Sequence, residues 1–195
     1  MSWTDGEIYS YQGNFIGAMH NIKVTDRNGD PLELAAGIKD AIEVICALKD
    51  DSGKLIFIGN GGSAAIASHQ ATDFIRTCDI PAFAPLDFTL LTCMGNDLGF
   101  ENVFSKPLKI LANPQDVLIA ISSSGKSPNI LSAVSAMREK ELKIITLSGF
   151  GSDNPLRQLG DINFYVPSDS YRHVESLHLF VCNWLLDFTH KSMTK

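Results

Sequence analysis

The stretch Leu55-Ile-Phe-Ile-Gly-Asn-Gly-Gly-Ser-Ala-Ala-Ile-Ala-Ser-His69 passes from four consecutive apolar residues through a glycine turn into a run of small residues. This pattern predicts a buried strand, a tight turn and the start of a helix. Glycines let the backbone approach a ligand, the new helix offers unpaired N–H groups, and the Ser63 hydroxyl adds a donor. The stretch therefore indicates an anionic small-molecule ligand, although a glycine turn taken alone fits a simple chain reversal equally well.

A second loop of the same kind follows an apolar strand at residues 116–121. It reads Ser-Ser-Ser-Gly-Lys-Ser-Pro-Asn at 122–129, and a helix is predicted to begin near Pro128. Ligands of open α/β sheets bind at the carboxyl ends of strands, where this loop lies. A serine cluster is also common in solvated loops and at helix N-caps. Two such loops in one chain favour a phosphate site with hydroxyl groups from Ser63, Ser122, Ser123, Ser124 and Ser127.

Apolar strands alternate with amphipathic helices along most of the chain, which predicts an α/β fold whose parallel sheet is covered on both faces. The 195 residues, of which 45% are hydrophobic, are enough for one well-buried domain. The first thirty residues are expected to form a helix or two. Strands are predicted near 54–58, 82–84, 116–121, 143–147 and 162–166, and helices near 32–48, 99–111 and 128–140, with a brief one after Pro155.

Composition excludes several classes of function. The net charge is −6 and the basic residues are scattered, so we expect no nucleic-acid partner. No apolar run approaches the ~20 residues that cross a bilayer, and no signal pattern opens the sequence, so we expect a cytoplasmic protein without a membrane partner. Four widely spaced cysteines in apolar contexts are expected to be reduced packing residues: Cys46, Cys78, Cys93 and Cys182.

Three blocks of the sequence are similar to those of a known family. They are Gly59-Asn-Gly-Gly-Ser63 with His69, Met94-Gly-Asn-Asp-Leu-Gly-Phe-Glu-Asn-Val-Phe104, and Ile121-Ser-Ser-Ser-Gly-Lys-Ser-Pro-Asn129. With these blocks the chain resembles SIS-domain (sugar isomerase) proteins of the phosphoheptose isomerase group, from about residue 30 onward. The resemblance implies a three-layer αβα fold with a five-stranded parallel sheet, an N-terminal helical segment at 1–30 and a SIS domain at 31–195. It also implies a homotetramer.

In proteins of this resemblance a ketose phosphate, most of all sedoheptulose 7-phosphate, becomes an aldose phosphate through an enediol. This 1,2-proton shift needs a base, an acid or metal at the carbonyl oxygen, and a phosphate anchor. The resemblance implies that Asp97 and Asp169 bind sugar hydroxyls, while Asp97 fits an N-cap of the following helix as well. The other implied substrate-binding residues lie in the two loops: Asn60, Gly61, Gly62, Ser63, Ser122, Ser123, Ser124 and Ser127.

His69 and Asp73 stand four residues apart on a predicted helix, so both side chains share one face. The family has a zinc-ligating His and Glu at this spacing, and the Glu is also its proposed base. The family's Gln and His on the last helix correspond to Glu175 and Asn183, and His178 matches a family histidine. The resemblance thus implies a zinc site of His69, Asp73 and Glu175, with catalytic roles for Asp73, Glu175 and His178. Without it, Asp73 fits a solvated helix residue and the two histidines fit packing residues.

Asn183 cannot transfer protons and is a rare zinc ligand, which opens a second interpretation. DnaA initiator-associating proteins are similar SIS-domain chains that lack the catalytic pair and bind a replication initiator as tetramers. A third interpretation is an isomerase of a related sugar phosphate. The chain keeps four carboxylates around its phosphate loops, which favours an isomerase over a binding module: Asp73, Asp97, Asp169 and Glu175.

Overall fold

The computed structural model describes residues 3–194. Met1, Ser2 and Lys195, at the outer ends of the two predicted domains, lie outside the described residues. The strands are β1 (Lys23–Asp26), β2 (Pro31–Leu32), β3 (Leu55–Ile58), β4 (Ala82–Phe83), β5 (Val117–Ser122), β6 (Lys143–Ser148) and β7 (Ile162–Tyr165). They form one sheet in the order β2-β1-β7-β6-β5-β3-β4.

The helices cover both faces of this sheet. They are α1 (Asp5–His20), α2 (Leu34–Cys46), α3 (Leu48–Asp51), α4 (Gly62–Cys78), α5 (Phe88–Leu98), α6 (Ser105–Leu111), α7 (Pro128–Glu139) and α8 (Tyr171–Met193), with short 3-10 helices at Phe100–Asn102 and Pro155–Gln158. None of the helices between residues 3 and 194 has both the length and the apolar character that a membrane span requires.

The sheet confirms the predicted α/β three-layer fold. Neighbouring strands from β7 to β4 run parallel, so the predicted five strands are right for the parallel part. The number is wrong for the whole sheet, which has seven strands because β1 pairs antiparallel with both β7 and β2. Between residues 3 and 30 the chain is therefore helical only in α1, and the part after α1 extends the sheet.

Alternate residues of the central strands point to opposite faces and build two cores. Leu55 and Phe57 of β3 belong to a core formed with α2, α4 and α8. Ile56 and Ile58 belong to a second core, formed with α6 and α7. Every residue of β3 and β5 is buried, as expected for central strands of a parallel sheet covered on both sides.

The predicted helix at 99–111 is wrong in its first part. Gly99 has a φ of +84°, a conformation that favours glycine and that ends α5. Residues 88–98, for which no helix was predicted, form α5, and the remaining helix, α6, begins only at Ser105. The other predicted strands and helices are confirmed to within a few residues, including the brief helix after Pro155.

Parallel strands place their carboxyl ends at one edge of the sheet. The loops that follow β3, β5 and β6 and the start of α8 after β7 all lie along this edge. The two phosphate-type loops are adjacent there because β3 pairs directly with β5.

Candidate functional site

The glycine loop after β3 depends on conformations that other residues do not adopt easily. Gly61 has φ +54° and ψ −121°. A Cβ on Gly59 would lie 2.5 Å from the backbone oxygen of Ser63, so the turn closes tightly over the new helix. Within the described chain no side chain caps the N-terminus of α4. The first N–H groups of this helix and its positive dipole end are therefore available to an anion.

The serine loop after β5 is a second tight turn. Gly125 has a φ of +62°, and its N–H donates to the Ser122 carbonyl oxygen at 3.0 Å. A Cβ on Gly125 would overlap the side-chain oxygen of the buried Asn154. The hydroxyl oxygens of Ser122 and Ser127 are 3.3 Å apart. The turn thus brings serine hydroxyls close together. Only glycine fits at position 125, where the turn bends.

A pair of asparagines connects the two loops. Asn60 Nδ2 donates to Asn129 Oδ1 at 2.9 Å, and Asn129 Nδ2 donates to Asn60 Oδ1 at 2.8 Å. Asn129 Oδ1 also accepts from the N–H of Ile130 at 3.0 Å. This reciprocal amide pair fixes the distance between the loops. Asn129 ends the serine motif in the sequence, but no role was predicted for it.

The two loops and α8 enclose a cavity of about 140 Å³. Such a volume is below that of typical small-molecule sites, roughly 300–1,000 Å³, so it fits a phosphate group better than a whole sugar phosphate. The hydroxyl of Ser123 is buried and has no hydrogen-bond partner among the described residues. Seven predicted site residues line the cavity: Asn60, Ser63, Ser122, Ser123, Ser124, Ser127 and Glu175.

Larger cavities exist elsewhere, but their chemistry differs. A groove of about 620 Å³ between α2 and the end of α8 is lined mostly by apolar side chains. The smaller cavity at the two loops is therefore the better candidate for a phosphate site, because most of its lining residues are serines.

Glu175 brings a carboxylate to this cavity from the second turn of α8. Its carboxylate atoms lie 2.5 to 2.6 Å from the place that a Cβ on Gly62 would occupy. The half-buried carboxylate therefore lies against the N-terminus of α4. Among the residues that line the cavity, it is the single carboxylate.

Tyr171 also lines the cavity, although no sequence pattern predicted it there. Its ring packs edge-on against Phe150 with ring centroids 4.6 Å apart. Phe150 has a φ of +57°, and its carbonyl oxygen accepts a 2.6 Å hydrogen bond from the Tyr165 hydroxyl. No sequence signal separates Tyr171 from other exposed aromatic residues, since its role follows from where α8 begins.

His69 and Asp73 are neighbours, as their spacing predicts, but they do not line the cavity. His69 Nε2 lies 3.2 Å from one oxygen of Asp73, and the other oxygen is 3.1 Å from the Arg76 guanidinium. Both carboxylate oxygens of Asp73 are thus engaged. In the described part of the chain, no three His, Cys, Asp or Glu side chains form a group that could hold a metal ion. The predicted three-ligand set with Glu175 is therefore not assembled in the described chain.

His178 lies in the core and not in the cavity. Its side chain is fully buried, and this burial lowers its pKa to about 4. Nε2 is 3.1 Å from the backbone oxygen of Ser148, and because a carbonyl oxygen only accepts, Nε2 carries the hydrogen of a neutral ring. The predicted catalytic role is thus not supported, and the alternative of a packing histidine agrees with the structure.

Asn183 has a structural contact of its own. Its side-chain oxygen accepts a hydrogen bond of 2.8 Å from the buried Gln70, which joins α8 to α4. The residue at the position of the family's histidine is thus part of a helix–helix contact.

The remaining predicted residues lie outside the cavity lining. Gly61 shapes the turn, and Gly62 contacts Glu175. Asp97 and Asp169 are exposed. Asp97 belongs to the last turn of α5 and accepts from the Asn96 side chain at 2.8 Å, so the N-cap alternative is wrong.

Comparisons with known proteins agree with the fold and the loops. The SIS domain family matches residues 31–149. Phosphoheptose isomerase from Aromatoleum aromaticum is 38% identical over 162 residues, which cover 79% of this chain and 82% of that protein. Phosphoheptose isomerase 1 of Campylobacter jejuni is 36% identical over 156 residues, covering 77% and 83%.

Solved structures give the same result. A phosphoheptose isomerase from Francisella tularensis superposes with a TM-score of 0.82 at 30% identity, over 95% of this chain and 97% of that one. The structure of a phosphoheptose isomerase from Neisseria gonorrhoeae gives 0.80 at 29% identity, over 94% and 98%.

Proposed function

Given that the chain belongs to the SIS-domain family, and within it to the phosphoheptose isomerase group, we propose that it is a sugar-phosphate isomerase. The proposed reaction converts sedoheptulose 7-phosphate into an aldose heptose 7-phosphate. Relatives at 32–42% identity carry the name of this activity, and they are matched over most of their length.

The observation that carries the proposal is the cavity between the two loops. It combines serine hydroxyls, the uncapped N-terminus of α4 and the hydroxyl of Ser123, which has no partner in the described chain. These groups donate hydrogen bonds from several directions, which suits the oxygens of a phosphate monoester. Because the cavity holds little more than a phosphate, the sugar extends from it past Glu175 and Tyr171.

We assign the proton transfer to Glu175. Its carboxylate takes a proton from C1 of the open-chain ketose, and the C–H electrons form the C1–C2 double bond. The C2 carbonyl oxygen takes a proton from water and becomes a hydroxyl of the enediol, and the resulting hydroxide recovers a proton from O1 in the second step. Return of the proton to C2 and loss of the O1 proton give the aldehyde. One hydrogen moves from C1 to C2 and one proton from O1 to O2, so no redox partner is needed.

No step is assigned to Asp73, His178 or a metal. Both oxygens of Asp73 have partners, and the neutral ring of His178 is enclosed in the core. Zinc stays a prediction from the resemblance. Within one subunit, the residues that the structure describes supply the pair His69 and Asp73 without a third ligand beside it.

The roles of Asp97 and Asp169 and the oligomeric state also stay proposals. α5, which carries Asp97, has no buried residue in the described chain, although it is rich in apolar side chains such as Phe88, which is 79% exposed. A second subunit packed on α5 would cover this surface, which supports the predicted homotetramer. Light scattering after size-exclusion chromatography tests it, and a monomeric mass would contradict it. The cytoplasmic location and the absence of a nucleic-acid partner stay predictions.

The experiment that tests the proposal follows the aldose product by NMR after sedoheptulose 7-phosphate is added. We expect conversion by the wild-type protein, and Ser124→Ala is expected to raise KM by about tenfold through loss of a hydrogen bond to a charged group. Lys126→Ala, in the same loop but outside the cavity lining, is the matched control. Substrate binding without conversion would favour the alternative, a non-catalytic SIS-domain partner of the DnaA initiator-associating type.

A further inference from the structure

A second polar cavity lies beside the turn between β1 and β2, at the edge of the sheet that these two strands form. It measures about 470 Å³ and lies between this turn and the 3-10 helix Pro155–Gln158. Arg27 and Arg157 line it, together with Thr25, Asn28 and Ser152, and none of the lining residues is acidic. The lining of this cavity is therefore positively charged, whereas the whole chain has a net charge of −6.

Arg27 has no carboxylate of its own. Its nearest acidic partner is Asp161, with nitrogen and oxygen 3.9 Å apart. Asp161 already accepts from the Arg138 guanidinium at 3.1 and 3.2 Å and from the N–H of Ile144 at 2.8 Å. The single negative charge of Asp161 is therefore shared by two arginines, so this group of three keeps a net positive charge, and the Arg27 side chain is 64% exposed.

Among the described residues, the neighbouring Asp26 forms no ion pair with Arg27. Its Oδ1 accepts from the N–H groups of Asn28 and Asp30 at 2.8 and 2.9 Å, so the carboxylate is folded back on the turn. These hydrogen bonds to Asp26 stabilise the turn that carries Arg27.

Arg157 is held in place on the opposite wall of the cavity. Its guanidinium carbon lies 4.3 Å from the centre of the Tyr165 ring, and Nη1 donates to the Ser152 carbonyl oxygen at 2.7 Å. Neither contact neutralises the charge. Because a guanidinium has five donors, most of them remain free to bind an oxyanion.

Thr25 provides an independent sign of a missing ligand. The residue is 7% exposed, and its hydroxyl has no hydrogen-bond partner in the described chain. A buried hydroxyl without a partner is costly and uncommon in folded proteins. A bound anion, or water that it orders, would supply that partner.

We propose that this cavity, the Arg27–Arg157 site, binds a phosphorylated small molecule. Guanidinium groups match phosphoryl oxygens in charge and in bidentate geometry. Its volume is about 470 Å³ against about 140 Å³ at the serine loop, so it admits a ligand larger than one phosphate, of diphosphate or nucleotide size. The site is separate from the one in which the isomerisation takes place, since the two cavities share no lining residue.

Isothermal titration calorimetry with inorganic pyrophosphate tests the proposal at constant ionic strength. The wild-type protein is expected to show two classes of site. Arg27→Gln should weaken one class by about tenfold, the usual loss for a charge-assisted hydrogen bond, and leave the other unchanged. Ser124→Ala should do the reverse. Because the two variants affect different classes, failure of this site is distinguishable from failure of the serine-loop site.

Two further variants separate a specific site from general charge. Lys39→Gln removes one positive charge from an exposed residue of α2 and should leave both classes unchanged. Thr25→Val keeps the side-chain shape, so it should leave the thermal midpoint unchanged or higher, yet weaken the same class as Arg27→Gln. The proposal would be overturned if the titration showed a single class of site whose affinity Arg27→Gln does not alter. It would also be overturned if Arg27→Gln and Lys39→Gln lowered the affinity equally.

Discussion

Gly62→Ala is the substitution that most sharply tests the position of Glu175. Gly62 opens α4 and has no unusual φ, so alanine fits its backbone. The new methyl group would lie 2.5 to 2.6 Å from the carboxylate atoms of Glu175. Ordinary contact begins at 3.4 Å, so the carboxylate has to move by about 0.8 Å. A misplacement of roughly 1 Å can reduce a proton transfer by about 10²-fold.

We therefore expect kcat to fall between tenfold and a hundredfold, while KM changes by no more than a few-fold because the serine loop is untouched. Stability should be unchanged or higher by about 0.5 kcal/mol, since alanine restricts the unfolded chain more than glycine does. Steady-state kinetics and urea unfolding measure both. Gly17→Ala is the matched control, because a Cβ there meets nothing within 4 Å. If Gly62→Ala keeps a kcat within threefold of the wild type, the assignment of the base to Glu175 is refuted.

Three further predictions concern two residues of the phosphate loops, Asn129 and Ser123, and the buried His178. Asn129→Ala removes the amide pair with Asn60 and should cost about 1–3 kcal/mol in the free energy of unfolding and raise KM; equal urea midpoints would contradict this. Ser123→Ala removes a hydroxyl that has no partner in the described chain, so stability should change by less than about 0.5 kcal/mol while calorimetry shows weaker phosphate binding; a large loss of stability would contradict it. His178 has a lowered folded pKa, about 4 against 6.5, so protonation favours unfolding: its contribution is complete above pH 6.5 and is lost as pH falls towards 4. Unfolding at pH 5 should thus be easier than at pH 7.5 by about 2 kcal/mol from this group, and a pH slope that persists unchanged in His178→Gln would contradict it.

The sequence predicted the elements that local pattern determines. Buried strands such as β5 are continuous apolar runs between turn residues, and the two phosphate-type loops are visible from glycine, serine and their position after such strands. β1 was missed because three of its four residues, Lys-Val-Thr-Asp, are polar, and because its neighbours are the two-residue strand β2 and the distant strand β7. α5 was missed because it has no buried face to impose a strong helical period.

The serines that line the cavity were predicted from the sequence, whereas the positions of the carboxylates were predicted less well. Serines follow from the loop, but whether Asp73 or Glu175 reaches the cavity depends on how α4 and α8 are rotated against each other. Helical spacing correctly placed His69 beside Asp73, yet it could not show that Arg76 takes the other carboxylate oxygen. The burial of His178 likewise depends on packing against β6, which spacing along one helix does not reveal.

The central claim is that Glu175 transfers the proton of an isomerisation in this cavity. Its most direct test is the exchange of the C1 hydrogen of sedoheptulose 7-phosphate with solvent deuterium, followed by NMR for the wild type, Glu175→Gln and Asp73→Asn. The account predicts exchange in the wild type, a loss of at least about 10²-fold in Glu175→Gln, and a change of no more than a few-fold in Asp73→Asn. Exchange that survives in Glu175→Gln or disappears in Asp73→Asn would contradict the assignment, and binding without any exchange in the wild type would contradict an isomerase.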